Sequence, residues 1–348
     1  SHARSPWVLG GIPLAVLLIA AWLVPFPYYL VSPGTAPSIF EHIKIEGAEV
    51  FEPKGEVLYT TVSVSLRRTN AYELLAGWID RDTEIVGEKT ITGGLSRSSV
   101  RSENLKAIDV SKLIAEKVAL ERLGYTVTLV SDGVRVVDVT KGEPSEGLLA
   151  TGDLVLAIDG TVVSTSEEAV AAVRRRRPGD EITVRLSRDG HEREVVIQAA
   201  EASEPGRALI GVQLTTVNPS FDFPFEIDID TGKVGGPSAG LAFTLALLDL
   251  LTPGELGGGL RVAATGTIDI DGTVGVVDGI PHKAAAAREE KADIFLVPMD
   301  GLDEARSHAG RMRVFGVSNL DAALEALEET GGEPLPEGAI VGGEITTT

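Results

Sequence analysis

A serine and a lysine carry the strongest chemical signal in this chain. Ser238 stands in Gly235-Gly236-Pro237-Ser238-Ala239-Gly240, and Lys283 stands in Gly279-Ile280-Pro281-His282-Lys283-Ala284-Ala285. A serine hydroxyl is a poor nucleophile unless a base lies beside it. Lysine serves as that base where burial and a helix N-terminus depress its pKa toward neutrality. Proline suits a first helical position, and paired glycines let the backbone turn sharply before it. The spacing therefore predicts a helix over 237–251, with Ser238 near its mouth. That helix is apolar all round, which calls for burial with its N-terminal amides converging on one spot. Such a spot suits a developing oxyanion. Lys283 falls in the first turn of a second predicted helix, 280–291, which has no carboxylate until Glu289. Alone, each residue reads as structural, a capping serine and a solvated lysine. If the two meet in space, they make a hydrolytic dyad that needs neither histidine nor metal.

Competing chemistries are sparse. Of the five histidines, His2, His42, His191 and His308 lie in segments that read as surface, and His282 would point to a different helix face from Lys283. There is no cysteine, which excludes a disulfide scaffold, a thiol nucleophile and a thiolate metal site. Asp269-Ile270-Asp271-Gly272 with Asp278 loosely echoes a calcium loop, but Thr267 occupies the first ligand position and the closing glutamate is missing. A strand-turn-strand is the expectation there, and no cofactor or metal is called for. Asp228 and Asp230 alternate along a strand and read as its solvent face.

The elements that must position the pair belong to a multidomain α+β chain. At 348 residues, 43% of them hydrophobic, it has room for two or three domains with real cores. A net charge of −20 argues against nucleic acid as a partner. The one dense basic run, Arg174 to Arg177, ends a predicted helix before Pro178-Gly179, where cations suit the helix C-terminus.

Between Ser5 and Phe40 there is no charged residue, and Trp7 to Val24 is almost wholly apolar. A stretch of that length can cross a bilayer core of about 30 Å as a helix. Trp7, Trp22, Tyr28 and Tyr29 flank it as interfacial aromatics do. No small-x-small cleavage site precedes Pro25-Phe26-Pro27, so an uncleaved anchor is expected rather than a signal peptide. Arg4 before the stretch and Glu41 after it place the short N-terminus in the cytoplasm and the remainder outside. The expectation is a single-pass membrane protein with an extracytoplasmic catalytic domain.

Residues 31–124 are mixed, with a strand over 57–66, an exposed loop over 87–102 and a helix from Asp109 to Leu123. Short strands follow from Tyr125, around the turn Ser131-Asp132-Gly133 and the hairpin signal Asp189-Gly190, with a helix over 166–176. With Gly152-Asp153-Leu154 running into Ile158-Asp159-Gly160, residues 125–200 resemble a PDZ domain, a β-barrel module. The resemblance implies capture of an extended peptide beside a sheet edge. The counterpart of the family's peptide-binding loop is Asp132, Gly133, Val134 and Val136, where Asp132 would repel a free carboxylate. The competing reading is a strand edge already occupied from within. A linker over 201–207, an alternating strand-helix domain over 208–330 and a loose tail over 331–348 complete the chain.

Within that last domain, Phe225 to Asp300 resembles the Lon-type serine protease domain, an α/β fold. Pro237-Ser238-Ala239-Gly240 matches its serine motif, and Thr265-Gly266 through Gly279-Ile280-Pro281-His282-Lys283 matches its lysine block without a gap. The resemblance implies Ser238 as nucleophile, Lys283 as general base and Thr265 as the hydroxyl that orients the lysine. It also implies oxyanion donors at the Gly236 and Ser238 amides beside Pro237. Two positions depart: Gly235 stands where many members carry Asp, and Asp278 where glycine is usual. A carboxylate at 278 close to Lys283 would hold the ammonium protonated and act as a modulator.

Span (1–30, including the cytoplasmic tip), PDZ and Lon-type domain form the order of a family of membrane-anchored bacterial PDZ–Lon proteases, which Pro27-Tyr28-Tyr29-Leu30-Val31-Ser32-Pro33-Gly34 also resembles. No Gly-x-x-x-x-Gly-Lys-Ser/Thr loop is present, and Thr231-Gly232-Lys233-Val234 lacks its features, so ATP is not a partner. Two functions follow. One is an ATP-independent serine endopeptidase acting on flexible or unfolded protein segments selected with PDZ help. The other is a non-catalytic PDZ adaptor binding peptides at the membrane. A homo-oligomer is compatible with either.

Overall fold

The computed structural model describes residues 19, 21–65, 67–202 and 206–336. The chain divides into two compact units. One joins the residues up to Tyr125 with those from Phe225 onward, and the other is Thr126–Pro224. Most of the expected membrane span, residues 7–18 and 20, lies outside the described residues, as does the tail from 337. Among the described residues no helix is long and apolar enough to cross a membrane.

The first unit opens with β1 (Tyr28–Pro33), β2 (Ile43–Glu46), β3 (Glu56–Tyr59) and β4 (Val62–Val64). The strand expected over 57–66 is thus two strands. Thr61 turns away to exchange backbone bonds with Gly34 and Thr35, so β3 and β4 enter different sheets. Helix α1 (Ala71–Ile79) is fixed by a capping box in which Asn70 and Glu73 satisfy each other's amides. Then come β5 (Glu84–Gly87), α2 (Glu88–Thr92) and α3 (Arg97–Arg122). β1 pairs antiparallel with both β4 and β5.

Much of the loop expected over 87–102 is helical. The Ser96 hydroxyl caps α3 by accepting from the Ser99 amide at 3.1 Å, twelve residues upstream of the expected start at Asp109. The first turns of α3, exposed and rich in Arg and Ser, carry no apolar period, which hides them from pattern reading.

The second unit contains β6 (Thr128–Val130), β7 (Val134–Val139), β8 (Leu154–Ile158), β9 (Thr161–Val162), α4 (Ser166–Arg174), β10 (Glu181–Arg188), β11 (His191–Gln198), β12 (Ala200–Glu201), β13 (Ala208–Leu209), β14 (Val212–Thr216) and β15 (Ser220–Asp222). Its main sheet runs β11-β10-β8-β7-β14 over a core that includes Val136, Ile158, Ile182, Leu186 and Ile197. The expected boundary at 201–208 is corrected by strand pairing. β14 pairs with β7 and β15 with β6, so residues 208–222 complete this unit rather than open the next. Alternating strands look alike from either side of a boundary, and only the partner strand assigns them.

The chain returns to the first unit with β16 (Glu226–Ile229), which pairs with β2, then α5 (Gly240–Leu251), β17 (Arg261–Ala264), β18 (Thr267–Ile268), β19 (Val274–Gly275), α6 (Ile280–Glu289), β20 (Ile294–Pro298), α7 (Leu302–His308), β21 (Arg313–Val317) and α8 (Leu320–Glu328). A four-stranded parallel sheet, ordered β21-β20-β17-β3, forms the centre. β20 is buried along its whole length, as strands covered on both faces are. The strand expected over 261–270 breaks at Thr265-Gly266, where Gly266 adopts φ 152°. The calcium-like segment is the β18–β19 hairpin, closed by the Asp269 and Thr273 backbones.

A fragment spanning residues 126–224 is therefore expected to unfold cooperatively by circular dichroism. A fragment ending at residue 200 lacks β14 and β15 and should lose that transition, since Val134 and Val136 would face water.

Candidate active site

Every residue of α5 is buried, and its N-terminus is cut back from the expected residue 237 to Gly240. The cause lies in the carbonyls that precede it. Ser238 O accepts from the Gly266 amide at 2.9 Å and from the Thr265 hydroxyl at 3.2 Å, so it makes no helical bond of its own. Pro237 O accepts from the Ser111 hydroxyl of α3 at 3.0 Å. Ser238 and Ala239 form a turn before the helix, and among the described residues their amides have no hydrogen-bond acceptor. Unpaired amides at a helix N-terminus are oriented for an anion. Gly240 must stay small, because a Cβ there would lie 2.9 Å from both Ile268 Cγ2 and Ser111 Oγ.

Gly236 does not fill the expected role. Its amide donates to Asn104 O of α3 at 2.8 Å and is not free for an oxyanion. Asn104 also packs on Gly235, where a Cβ would approach Asn104 Cβ to 3.0 Å, so any side chain there would crowd α3. The free donors are instead the Ser238 and Ala239 amides. Sequence reading missed Asn104 and Ser111 as parts of this site. Asn104 falls between the loop expected over 87–102 and the helix expected from Asp109, and a serine in a helical pattern carries no signal of what it will bond.

Lys283 is buried in the first turn of α6, which starts from Gly279 in a left-handed conformation (φ 71°). Burial pushes its ammonium down to about 8, while Asp278 acts in the opposite direction. Asp278 is exposed, so water screens its carboxylate and burial dominates. The His282 ring has partners of its own: Nδ1 is 3.0 Å from Asp82 O and Nε2 is 3.6 Å from a Glu84 carboxylate oxygen. Thr265, expected to orient the lysine, is fully buried and holds the serine turn through Ser238 O instead.

Ser238 and Lys283 line one cavity of about 1200 Å³, together with Asp278, His282 and Asn104. Among the described residues no hydrogen bond joins the serine and lysine side chains. Half-buried Ser238 and buried Lys283 line the same space. The arrangement holds the parts of acyl transfer: a hydroxyl, a low-pKa amine and two free amides beside the hydroxyl.

In the second unit the expected peptide loop is occupied from within. The Asp132 amide donates to Val217 O and the Val217 amide to Gly133 O, while the Asp132 carboxylate accepts from Asn218 Nδ2 at 2.7 Å. Val134 and Val136 are fully buried, and β7 is paired by β8 on one side and β14 on the other. Of the sheet's two edge strands, β11 and β14, it is β14 that lies beside α4, where the Ser166 amide donates to the Thr216 hydroxyl at 3.0 Å. Gly211, which leads into β14 at φ 75°, has Glu143 Cβ 2.1 Å from where its own Cβ would be, so only glycine fits.

Fold and site together define a hydrolase-type α/β unit interrupted by a small β-rich unit. Residues 225–327 match the Lon protease (S16) C-terminal proteolytic domain, and residues 121–198 match the PDZ domain. The chain thus carries a PDZ domain and a Lon-type proteolytic domain, which marks it as a serine peptidase. Solved structures with similarity include the PDZ domain of the SdrC-like protein from Listeria monocytogenes, at 26% identity over 24% of this chain and 90% of that one, with a TM-score of 0.24. The corresponding domain from Listeria innocua shows 28% identity over 24% and 93%, with a TM-score of 0.23. A solution structure from Geobacillus thermodenitrificans shows 34% identity over 23% and 94%, with a TM-score of 0.22. The search of curated proteins found no match.

If Lys283 is the base, activity should rise with pH through about 8, where the amine loses its proton. Asp278→Asn removes the group that raises this pKa, so the rise should move to lower pH in a pH–kcat/KM profile. Stability carries the complementary sign. Between about 8 and 10.5 the unfolded chain holds a proton that the folded chain has released, so stability climbs with pH across that window. Below it the buried ammonium costs on the order of 3 kcal/mol. Lys283→Met should therefore abolish cleavage and raise urea stability at pH 7 by up to about that amount.

Proposed function

We propose that this chain is an ATP-independent serine endopeptidase in which Ser238 attacks and Lys283 is the general base. The observation that carries this reading is a buried lysine that has, among the described residues, no hydrogen-bonded counter-ion and shares a cavity with a serine at the mouth of an apolar helix. In the acylation step Lys283 Nζ takes the Ser238 proton as Oγ bonds to the scissile carbonyl carbon. The carbonyl oxygen becomes an oxyanion on the Ser238 and Ala239 amides. Collapse breaks the C–N bond, and the protonated lysine returns its proton to the leaving amine. Water then repeats the sequence on the acyl-enzyme. Substrates are flexible or unfolded protein segments, in keeping with a sequence that carries no Gly-x-x-x-x-Gly-Lys-Ser/Thr nucleotide loop. Peptide selection falls to the β14 edge of the PDZ domain. We further propose that residues 7–24 tether the chain to the membrane with the proteolytic domain on the extracytoplasmic side.

A second reading, a non-catalytic PDZ adaptor, is favoured by one observation: Ser238 and Lys283 are not hydrogen-bonded, and Asn104 occupies the Gly236 amide. Casein turnover separates the two. The endopeptidase requires that Ser238→Ala and Lys283→Ala each lower kcat by at least about 10³-fold, as loss of one member of a catalytic unit does. Equal turnover in all three proteins removes the dyad. Tight peptide binding without dyad-dependent cleavage supports the adaptor.

A further inference from the structure

Helix α1 carries large apolar side chains on its outward face, where an ordinary surface helix carries polar ones. Its inward face is centred on Gly77, where a Cβ would lie 2.7 Å from Leu30 Cδ2 of β1. Its outward face carries Leu75, Ala76, Trp78 and Ile79, which at 100° per residue share one side. Leu75 is 55% exposed, Trp78 78% and Ile79 68%. The helix's one charged residue, Glu73, is turned to the Asn70 amide and Arg67.

The neighbouring chain says what covers this face. Trp22, Leu23 and Val24 end the apolar stretch and are all at least half exposed. Two residues later the Phe26 amide donates to Thr69 O at 2.8 Å, and the Thr69 amide and hydroxyl both donate to Tyr28 O. Thr69 immediately precedes Asn70, the α1 cap. The apolar stretch therefore joins the fold at the start of α1, with Val24 within about 7 Å of that bond by chain length. The helix then rises about 13 Å, which keeps Trp78 within roughly 20 Å of the same point. A bilayer with its interfacial layers is about 40–45 Å thick, and tryptophan favours the headgroup level. A second copy of the chain fits less well, because four side chains of one short helix fall short of the roughly 800 Å² per partner of a stable interface.

We propose that α1 is an interfacial membrane contact, its Leu75–Trp78–Ile79 face lying in the headgroup region of the bilayer that residues 7–24 enter. The inference rests on the membrane tether proposed above. It orients the first unit at the surface without a charged patch, and so without strong salt dependence.

The test uses the full chain reconstituted into phosphatidylcholine vesicles with brominated acyl chains. The chain has three tryptophans, so W7F/W22F leaves Trp78 as reporter and W7F/W78F leaves Trp22. The expected result is loss of most of the emission from both reporters, with a blue shift of Trp78 and its protection from iodide. Quenching of Trp22 beside an iodide-accessible Trp78 overturns the proposal and leaves the tether intact. Failure of both reporters to quench overturns the tether, and the proposal with it. A Trp78 protected from iodide but untouched by bromine shows a protein neighbour on this face and also overturns the proposal.

Discussion

The carbonyl oxygen of Ser238 is the point on which the geometry of the candidate site depends. Because it accepts from Gly266 and Thr265, it is withdrawn from the helical ladder, and α5 begins two residues after the serine. Had the helix started at Pro237, the amides of Ser238 and Ala239 would still lack helical acceptors, but Ser238 would be carried by the helical turn. Capture by the strand-to-strand turn at 265–266 ties the serine to the central sheet instead. Ser111 holds the preceding carbonyl from the opposite side, so α3 and β17 grip the turn between them.

The lysine is positioned by a different physical means. No hydrogen bond fixes its Nζ among the described residues; the four alanines that follow it pack into the core and carry the first turn of α6 below the surface. The low pKa is a consequence of that burial. Asp278 could have reversed it, but the carboxylate is exposed and Lys283 is not, and solvent decides between them. The same burial that lowers the Lys283 pKa also destabilises its protonated state at neutral pH.

The first unit is assembled from both sides of an insertion. β3 supplies an edge strand of the parallel sheet, β2 pairs with β16, and α3 packs on α5. Where the chain leaves and returns, the rings of Tyr125 and Phe225 meet edge-to-face at 5.4 Å. Residues that sequence order separates widely, Asn104 and Gly236 or Ser111 and Pro237, thereby become neighbours.

What sequence alone determined is what depends on local chemistry. The apolar run of α5, Pro281 opening α6, and the Thr265-to-Lys283 block each constrain their own segment, and the serine and lysine could be named from them. The Asp189-Gly190 turn was legible for the same reason, since its positive φ values are a property of those two residues. Tertiary structure decided what depends on a partner far along the chain. It alone showed that the Gly236 amide is taken by Asn104, that Thr265 serves the serine turn rather than the lysine, and that β14 fills the edge where sequence reading expected a peptide. A backbone amide or a strand edge looks the same in any sequence, and only the fold says which acceptor reaches it first.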